Sequence, residues 1–315
     1  MGERFVRWDA VVRNFLFVDS MLYSFIGLCL IIAPHHIAQL IMKRHVTDGV
    51  HWHLLRCIGG QFLATACLTW RCTSAARSSL HSTCLLLRLL ASMLSAFVFA
   101  HNQAIHAEFV ETAIIRLLVW LFVANSVACL LLLLVNGWPK YERIGTISRW
   151  GNIFCQLDSV MAIMIGFGWT FSPLWLLHRQ VLVLLDPSHQ LCGQIIGVNF
   201  LTSYIISTYA LNCGRREAFQ MAAETRLIMI FYINLAQFWS QFFYHEHWSN
   251  KHFAGISVFI TWTSIALVYR IYLWLASDEN EVVMAIAQNG TTLANGSKGY
   301  WGPDSWTVDN PTVDN

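Results

Sequence analysis

Apolar residues run along this chain in long blocks, and polar residues are gathered into the short gaps between them. A helix needs about 20 apolar residues to cross a bilayer. Eight blocks approach that length: 15–33, 54–70, 80–100, 112–135, 151–172, 193–211, 222–243 and 254–275. The second is the shortest, and the third and seventh each hold an arginine, Arg88 and Arg226. Pro34 and Pro173 close the first and fifth blocks, as proline does where a helix must stop. A shorter apolar stretch follows each proline (His36 to Met42, Leu174 to Leu185), which predicts segments lying at the outer interface. The pattern as a whole predicts an all-α, multi-pass transmembrane protein.

The pattern also occurs twice. Asp19 to Pro34 reads DSMLYSFIGLCLIIAP, and Asp158 to Pro173 reads DSVMAIMIGFGWTFSP, at an offset of 139. Ile58 to Thr65 (IGGQFLAT) matches Ile196 to Ser203 (IGVNFLTS) at an offset of 138, and Arg88-Leu89 matches Arg226-Leu227 at the same offset. The fourth and eighth blocks do not align by residue identity. Four spans are an even number, so both halves share one orientation, and the repeat is parallel. The expected organisation is a four-helix repeat over 1–138, a second over 139–276, and an acidic, disordered tail over 277–315.

Composition agrees with a membrane protein. The chain is 56% hydrophobic and 12% charged, against about 25% charge in soluble domains, with a mean hydropathy of +0.49. The lipid bilayer is therefore its first partner. A net charge of +2 leaves no electrostatic footprint for nucleic acid. Met1 to Asn14 is charged, which predicts no secretory leader, and Val6 breaks the myristoylation motif that Gly2 begins. Nine cysteines lie in or beside apolar blocks, which argues against a disulfide framework. Cys72 and Cys213 follow apolar blocks at similar places in the two halves, where palmitoylation is an expectation.

Lysine and arginine set the orientation. With the N-terminus inside, the inner segments hold Arg4, Arg7, Arg13, Arg71, Arg77, Lys140, Arg143, Arg149, Arg215, Arg216, Arg270 and Lys298. The outer loops hold only Lys43, Arg44, Arg179 and Lys251. Both termini are therefore expected in the cytoplasm. The acceptor sequences at Asn289 and Asn295 would then go unglycosylated.

Three sets of residues bear on chemistry. Asp19 and Asp158 sit roughly 9–13 Å in from the inner edge, and Arg88 and Arg226 roughly 15 Å, at 1.5 Å per residue. A lone charge there costs at least about 2.5–3.5 kcal/mol, so one Asp–Arg pair per half is expected. Such a pair either staples the first helix to the third or lines a path for an anion or proton. Glycine forms the second set: Gly59, Gly60, Gly193 and Gly197 allow the close backbone approach that drives packing in lipid. The third set is histidine. Only His81 of the 13 is assigned to the inner side. The outer clusters are His35-His36, His51-x-His53 and His245-Glu-His247 with His252 nearby. His245, His247 and His252 are candidate metal ligands, or sensors of luminal pH, against the plainer reading that histidine fills polar places where lysine and arginine are avoided. Arg56 and Arg116, near outer helix ends, can reach the headgroups. No phosphate loop, dinucleotide fingerprint, nucleophile elbow or paired-carboxylate signal occurs, so no cofactor and no catalytic residue is expected.

Each half thus reads as an apolar helix, a proline at its outer end, Arg-x-x-Gly-Gly opening the next helix, and an arginine in the third. In this chain those residues are Pro34, Arg56, Gly59, Gly60 and Arg88. The pattern resembles the DoxX-like four-helix membrane modules, here as a tandem pair. The second half departs from it, with Gln194 for the arginine and Val198 for the second glycine. The resemblance implies a fused pair of four-helix bundles and no shared activity. The expected function is a membrane scaffold or regulator, with residues 278–315 available to a protein partner. The alternative is a carrier or channel for a small solute, proton or metal ion at the interface between halves.

Overall fold

The computed structural model describes residues 2–43, 47–74, 78–139 and 148–296, with side chains over 9–43, 47–74, 79–139 and 148–275. The described residues are helical, in the order α1 Gly2–Ile32, α2 Pro34–Ile41, α3 Gly49–Thr73, α4 Ser78–Ile105, α5 Thr112–Asn136, α6 Arg149–Phe171, α7 Pro173–His178, α8 Pro187–Cys213, α9 Arg216–Phe243 and α10 His252–Gly296. A single 3₁₀ turn, His245–His247, precedes α10. Each apolar block falls within one long helix. Pro34 and Pro173 open the short helices α2 and α7, where their missing N–H is no loss.

Among the described residues, six helices are long and apolar enough to cross a membrane: α1, α4, α5, α6, α8 and α10. The other two of the eight blocks, 54–70 and 222–243, lie in α3 and α9, which are 25 and 28 residues long but more polar. Their place in the packing accounts for that polarity. α3 packs on α1, α9 and α8, whereas α8 packs on α6, α4, α3 and α9. Polar groups on such central helices find protein partners. The Gln61 side-chain amide donates to the Ile196 carbonyl at 3.2 Å, and Arg56 Nε donates to the Ile31 carbonyl at 3.2 Å. Burial separates the layers: 72% of the apolar window of α8 is buried inside the protein, against 17% for α5. α5 turns most of its surface outward, as a lipid-facing helix does, with Leu117, Trp120 and Leu131 exposed.

Glycine sets the distance between α1 and α3. A Cβ on Gly59 would lie 2.7 Å from the Gly27 carbonyl oxygen, and one on Gly27 would lie 2.9 Å from the Gly59 carbonyl oxygen. Gly166 and Gly197, later in sequence by 139 and 138 residues, stand in the same relation between α6 and α8: a Cβ on Gly166 would meet Leu201, and one on Gly197 would meet Thr170. Gly60 faces Tyr232 on α9, and Gly193 faces Pro173.

Two short backbone bridges tie the loops beyond the helix ends. Met42 pairs with Val110, and Val181 with Trp248. Their flanking bonds correspond one for one. Lys43 N–H donates to Phe109 O and Glu111 N–H to Ile41 O, while Leu182 N–H donates to His247 O and Ser249 N–H to Gln180 O. These positions are again 139 or 138 apart, which carries the correspondence up to the start of α5 and α10, where residue identity alone failed.

The final helix differs from expectation. It continues through Gly296, past Ser277, where the sequence predicts an unstructured tail to begin. Glu281 to Gln288 (EVVMAIAQ) consists of residues that tolerate a helix well, apart from two valines. Residues 297–315 of the expected tail lie outside the described residues. Contacts divide the chain into 1–270 and 271–315, and the residues of the ion pairs and of the Asp48–Asp186 cluster all lie in the first.

Candidate functional site

Two charged centres are buried among the helices. Arg88 on α4 donates from Nε to Asp19 Oδ2 at 2.7 Å and from Nη2 to Asp19 Oδ1 at 2.8 Å. Arg226 on α9 donates from Nε to Asp158 Oδ1 at 2.6 Å and from Nη2 to Asp158 Oδ2 at 3.0 Å. Both are bidentate, so a planar fork meets two oxygens and direction as well as charge is satisfied. All four side chains are buried. Their surroundings differ. The Arg88 guanidinium lies 3.6 Å from the centre of the Tyr23 ring. Ala162 stands where the offset of 139 would place a second Tyr23, and Trp262 from α10 comes instead to 4.8 Å from Arg226. Asp158 also accepts from the Ser207 hydroxyl at 2.6 Å. A desolvated cation gains from such a ring face, about 2 kcal/mol.

The end of the bundle where α3 and α8 begin, called the outer end on the expected orientation, holds a cluster that crosses between the halves. Asp48 caps α3: its Oδ1 accepts from the backbone N–H of Val50 and of His51, both at 3.0 Å. Asp186 caps α8 in the same way, through Ser188 N–H at 2.9 Å and His189 N–H at 3.4 Å. In each, a histidine three residues on reaches back to the cap, at 2.9 Å for His51 Nδ1 to Asp48 Oδ1 and 3.1 Å for His189 Nδ1 to Asp186 Oδ1. The two rings then meet, with centroids 3.7 Å apart. His189 Nε2 faces Asp48 Oδ2 at 3.1 Å, and His51 Nε2 faces the Ser188 hydroxyl at 2.8 Å. That hydroxyl in turn donates its hydrogen bond to Asp186. The result is a closed loop of five side chains from two helix starts.

A carboxylate only accepts, so His189 Nε2 carries a proton. Its Nδ1 sits between the backbone N–H of Asp186, at 3.2 Å, and the carboxylate of the same residue. Either protonation state of Nδ1 finds a partner. Burial opposes the charge on Asp48, but the bonds from His189 and His51 outweigh it and hold the carboxyl well below its usual range. Asp186 is held low by the same balance, with His189 and Ser188 as donors. The two rings are buried, while Asp48 and Asp186 remain 24% and 19% exposed. Water therefore reaches the carboxylate edge of the cluster and not the ring faces.

The histidines singled out from the sequence lie elsewhere. His247 Nδ1 accepts from Gly49 N–H at 3.1 Å. His252 stacks on Trp248 with centroids 3.9 Å apart, and its Nδ1 faces Gln241 Oε1 at 3.1 Å. His245 is exposed. Among the described residues the one group of three close metal-ligating side chains is Asp48, His51 and His189, and it includes none of those three. Its signal was present in the sequence, as Asp-Gly-Val-His and Asp-Pro-Ser-His at an offset of 138. His51 also belongs to the His-x-His pattern with His53. In the helix those two rings diverge: His53 Nδ1 turns to the Ala236 carbonyl at 3.2 Å.

Other groups gain partners that spacing did not give. Glu224, two residues before Arg226, faces away from it and takes Arg71 and Arg270. Asn102 donates to Gln194 Oε1 at 2.7 Å across the halves. Cys72 and Cys84 are fully buried with sulfurs 2.6 Å apart, and Cys213 is also buried. The expectation of palmitoylation at Cys72 and Cys213 is corrected, because neither sulfur reaches lipid.

No curated protein and no solved structure matches the chain. Residues 17–271 match a family described as a domain of unknown function, DUF8292. That span takes in every residue of the two ion pairs and of the Asp48–Asp186 cluster, and the chain belongs to that family.

Proposed function

We propose that this chain is a multi-pass membrane scaffold or regulator, built as two parallel four-helix repeats over 1–138 and 139–276, with both termini in the cytoplasm. The observation that carries the reading is the state of the two deep carboxylates. Each has both oxygens engaged by an arginine of its own half, so neither is open to a passing solute. Removing one partner of such a pair costs about 3–5 kcal/mol because the other charge is stranded. The pairs therefore act as staples. The corresponding glycine contacts, loop bridges and helix caps support the repeat, as does the likeness of each half to a DoxX-like module.

Two clefts on the outside of the bundle fit lipid better than a polar substrate. One is lined by Ile31, Ile32, Arg56, Tyr232, Leu235 and Trp239, the other by Leu157, Met161, Val258, Trp262 and Ile265 among others. Regulation would then run through helix contacts and through residues 278–315.

A carrier or channel is the competing reading, and flux in proteoliposomes separates the two. A scaffold gives no flux of protons or divalent cations above protein-free vesicles, and Asp19→Asn and Asp158→Asn lower the folded yield. Normal yield with altered flux in either variant overturns the staple reading.

A further inference from the structure

We propose that Asp48, His51 and His189 form a binding site for a divalent first-row transition-metal ion at the outer junction of the two halves. The site is separate from the deep ion pairs and stands whether the chain is a scaffold or a carrier.

The donor set is the first argument. Two imidazoles and one carboxylate suit zinc, cobalt or iron rather than calcium or magnesium, which prefer oxygen alone. One donor atom from each residue lies within 4.8 Å of the other two. Bonds of about 2.0–2.2 Å in a tetrahedral site hold donors roughly 3.4 Å apart. The contact between Asp48 Oδ2 and His189 Nε2, at 3.1 Å, is already that short. Closing the set onto an ion means drawing the more distant donors together by up to about 1.4 Å.

The second argument is what lies behind the donors. A metal-bound histidine commonly gives its other N–H to a carboxylate, which fixes the ring and raises its basicity. Asp186 Oδ1 stands 3.1 Å from His189 Nδ1 in that role. Asp48 Oδ1 stands 2.9 Å from His51 Nδ1, leaving His51 Nε2, which now faces Ser188, as the third donor. The ion takes the place of the proton on His189 Nε2, and the proton left on that ring sits on Nδ1 toward Asp186. On His51 the proton that Nε2 now donates toward Ser188 moves to Nδ1, where Asp48 Oδ1 accepts it, which frees Nε2 to ligate. With three protein ligands, a fourth position remains for water or a further group, on the carboxylate edge that solvent reaches.

The third argument is location. The ligands come from the first turns of α3 and α8, at matching positions in the two halves. An ion there would clamp the halves together at the end opposite the Arg71–Glu224–Arg270 contacts. A histidine pair held only for capping would need no ring from the other half.

The test uses the full chain, purified in detergent and stripped with chelator. Zn²⁺ is titrated by equilibrium dialysis, and Co²⁺ by its visible absorption. The expected result is one ion per chain, with tetrahedral cobalt bands. Asp186→Asn keeps all three ligands and should weaken Zn²⁺ binding about 10–100-fold. His189→Gln should weaken it further and abolish the cobalt bands. His245→Ala, at an exposed histidine outside the cluster, should change neither. Binding of less than a tenth of an ion per chain overturns the proposal, as does full binding in folded His189→Gln. Should His189→Gln fail to fold, X-ray absorption on zinc-loaded wild type decides: two imidazole ligands support the site, and none removes it.

Discussion

The two charged regions solve the same problem in different ways. Deep in the bundle, Asp19 and Asp158 each meet one arginine from the same half, in a closed bidentate pair. Where α3 and α8 begin, Asp48 and Asp186 cap helices of different halves and share His189 between them. Depth explains the contrast. Where water is absent, a charge needs a partner that never leaves, and an arginine stays charged. Where water reaches a carboxylate edge, a titratable ring can be used, and its proton can be exchanged for another cation. The deep pairs make each half whole. The outer cluster joins the halves.

The largest expected effect breaks a deep pair. Arg88→Ala should lose about 3–5 kcal/mol, seen as a collapse of monodisperse yield in detergent. The double change Arg88→Met with Asp19→Leu should recover most of it. A double variant no better than the single would show that the pair does more than cancel its own charges.

Next comes the close approach of α6 and α8. Gly197→Val would drive a side chain into the Thr170 backbone. It should cost about 1–3 kcal/mol, read as a lower melting midpoint, with no change at the outer cluster by cobalt absorption. An unchanged midpoint would mean that the two helices are free to separate.

A smaller effect concerns pH. Asp48 and Asp186 have carboxyls lowered on folding, so their contribution is fully present above the unfolded value of about 3.9. It is lost only as pH falls below that value. The double variant Asp48→Asn with Asp186→Asn keeps the helix caps and loses the charges. Its melting midpoint should sit furthest below wild type between about pH 5 and 6.5. The gap should narrow under stronger acid, as the carboxylates protonate, and also above about 6.5, because the same carboxylates raise the His189 pKa to about 9 and that ring loses its proton as pH climbs. A gap unchanged from about pH 6 to 9 would show that His189 does not hold its extra proton against them.

The smallest change is expected from His245→Ala. The side chain is exposed, and surface substitutions usually stay within about 0.5 kcal/mol. A large drop would reveal a role for the turn at 245–247 that its contacts do not suggest.

Much of this was legible in the sequence. The apolar blocks placed the long helices, because only a helix satisfies its own backbone in lipid. The offset of 139 and the depth count brought Asp19 and Asp158 to the level of Arg88 and Arg226. The polarity of α3 and α9 was visible too, and burial against other helices is what excuses it. The Asp-x-x-His pair was present and overlooked, since a spacing of three reads as a helix cap and says nothing about what the ring then touches.

Sequence by itself therefore determined the class of protein, the approximate place of its long helices and the recurrence of residues at offsets of 138 and 139, all of which follow from local periodicity and spacing. Only the tertiary structure decided that His189 crosses to Asp48, that His51 reaches Ser188, and that Glu224 turns from Arg226 to Arg71 and Arg270. Those contacts depend on how helices from distant parts of the chain pack, and local periodicity carries no record of that.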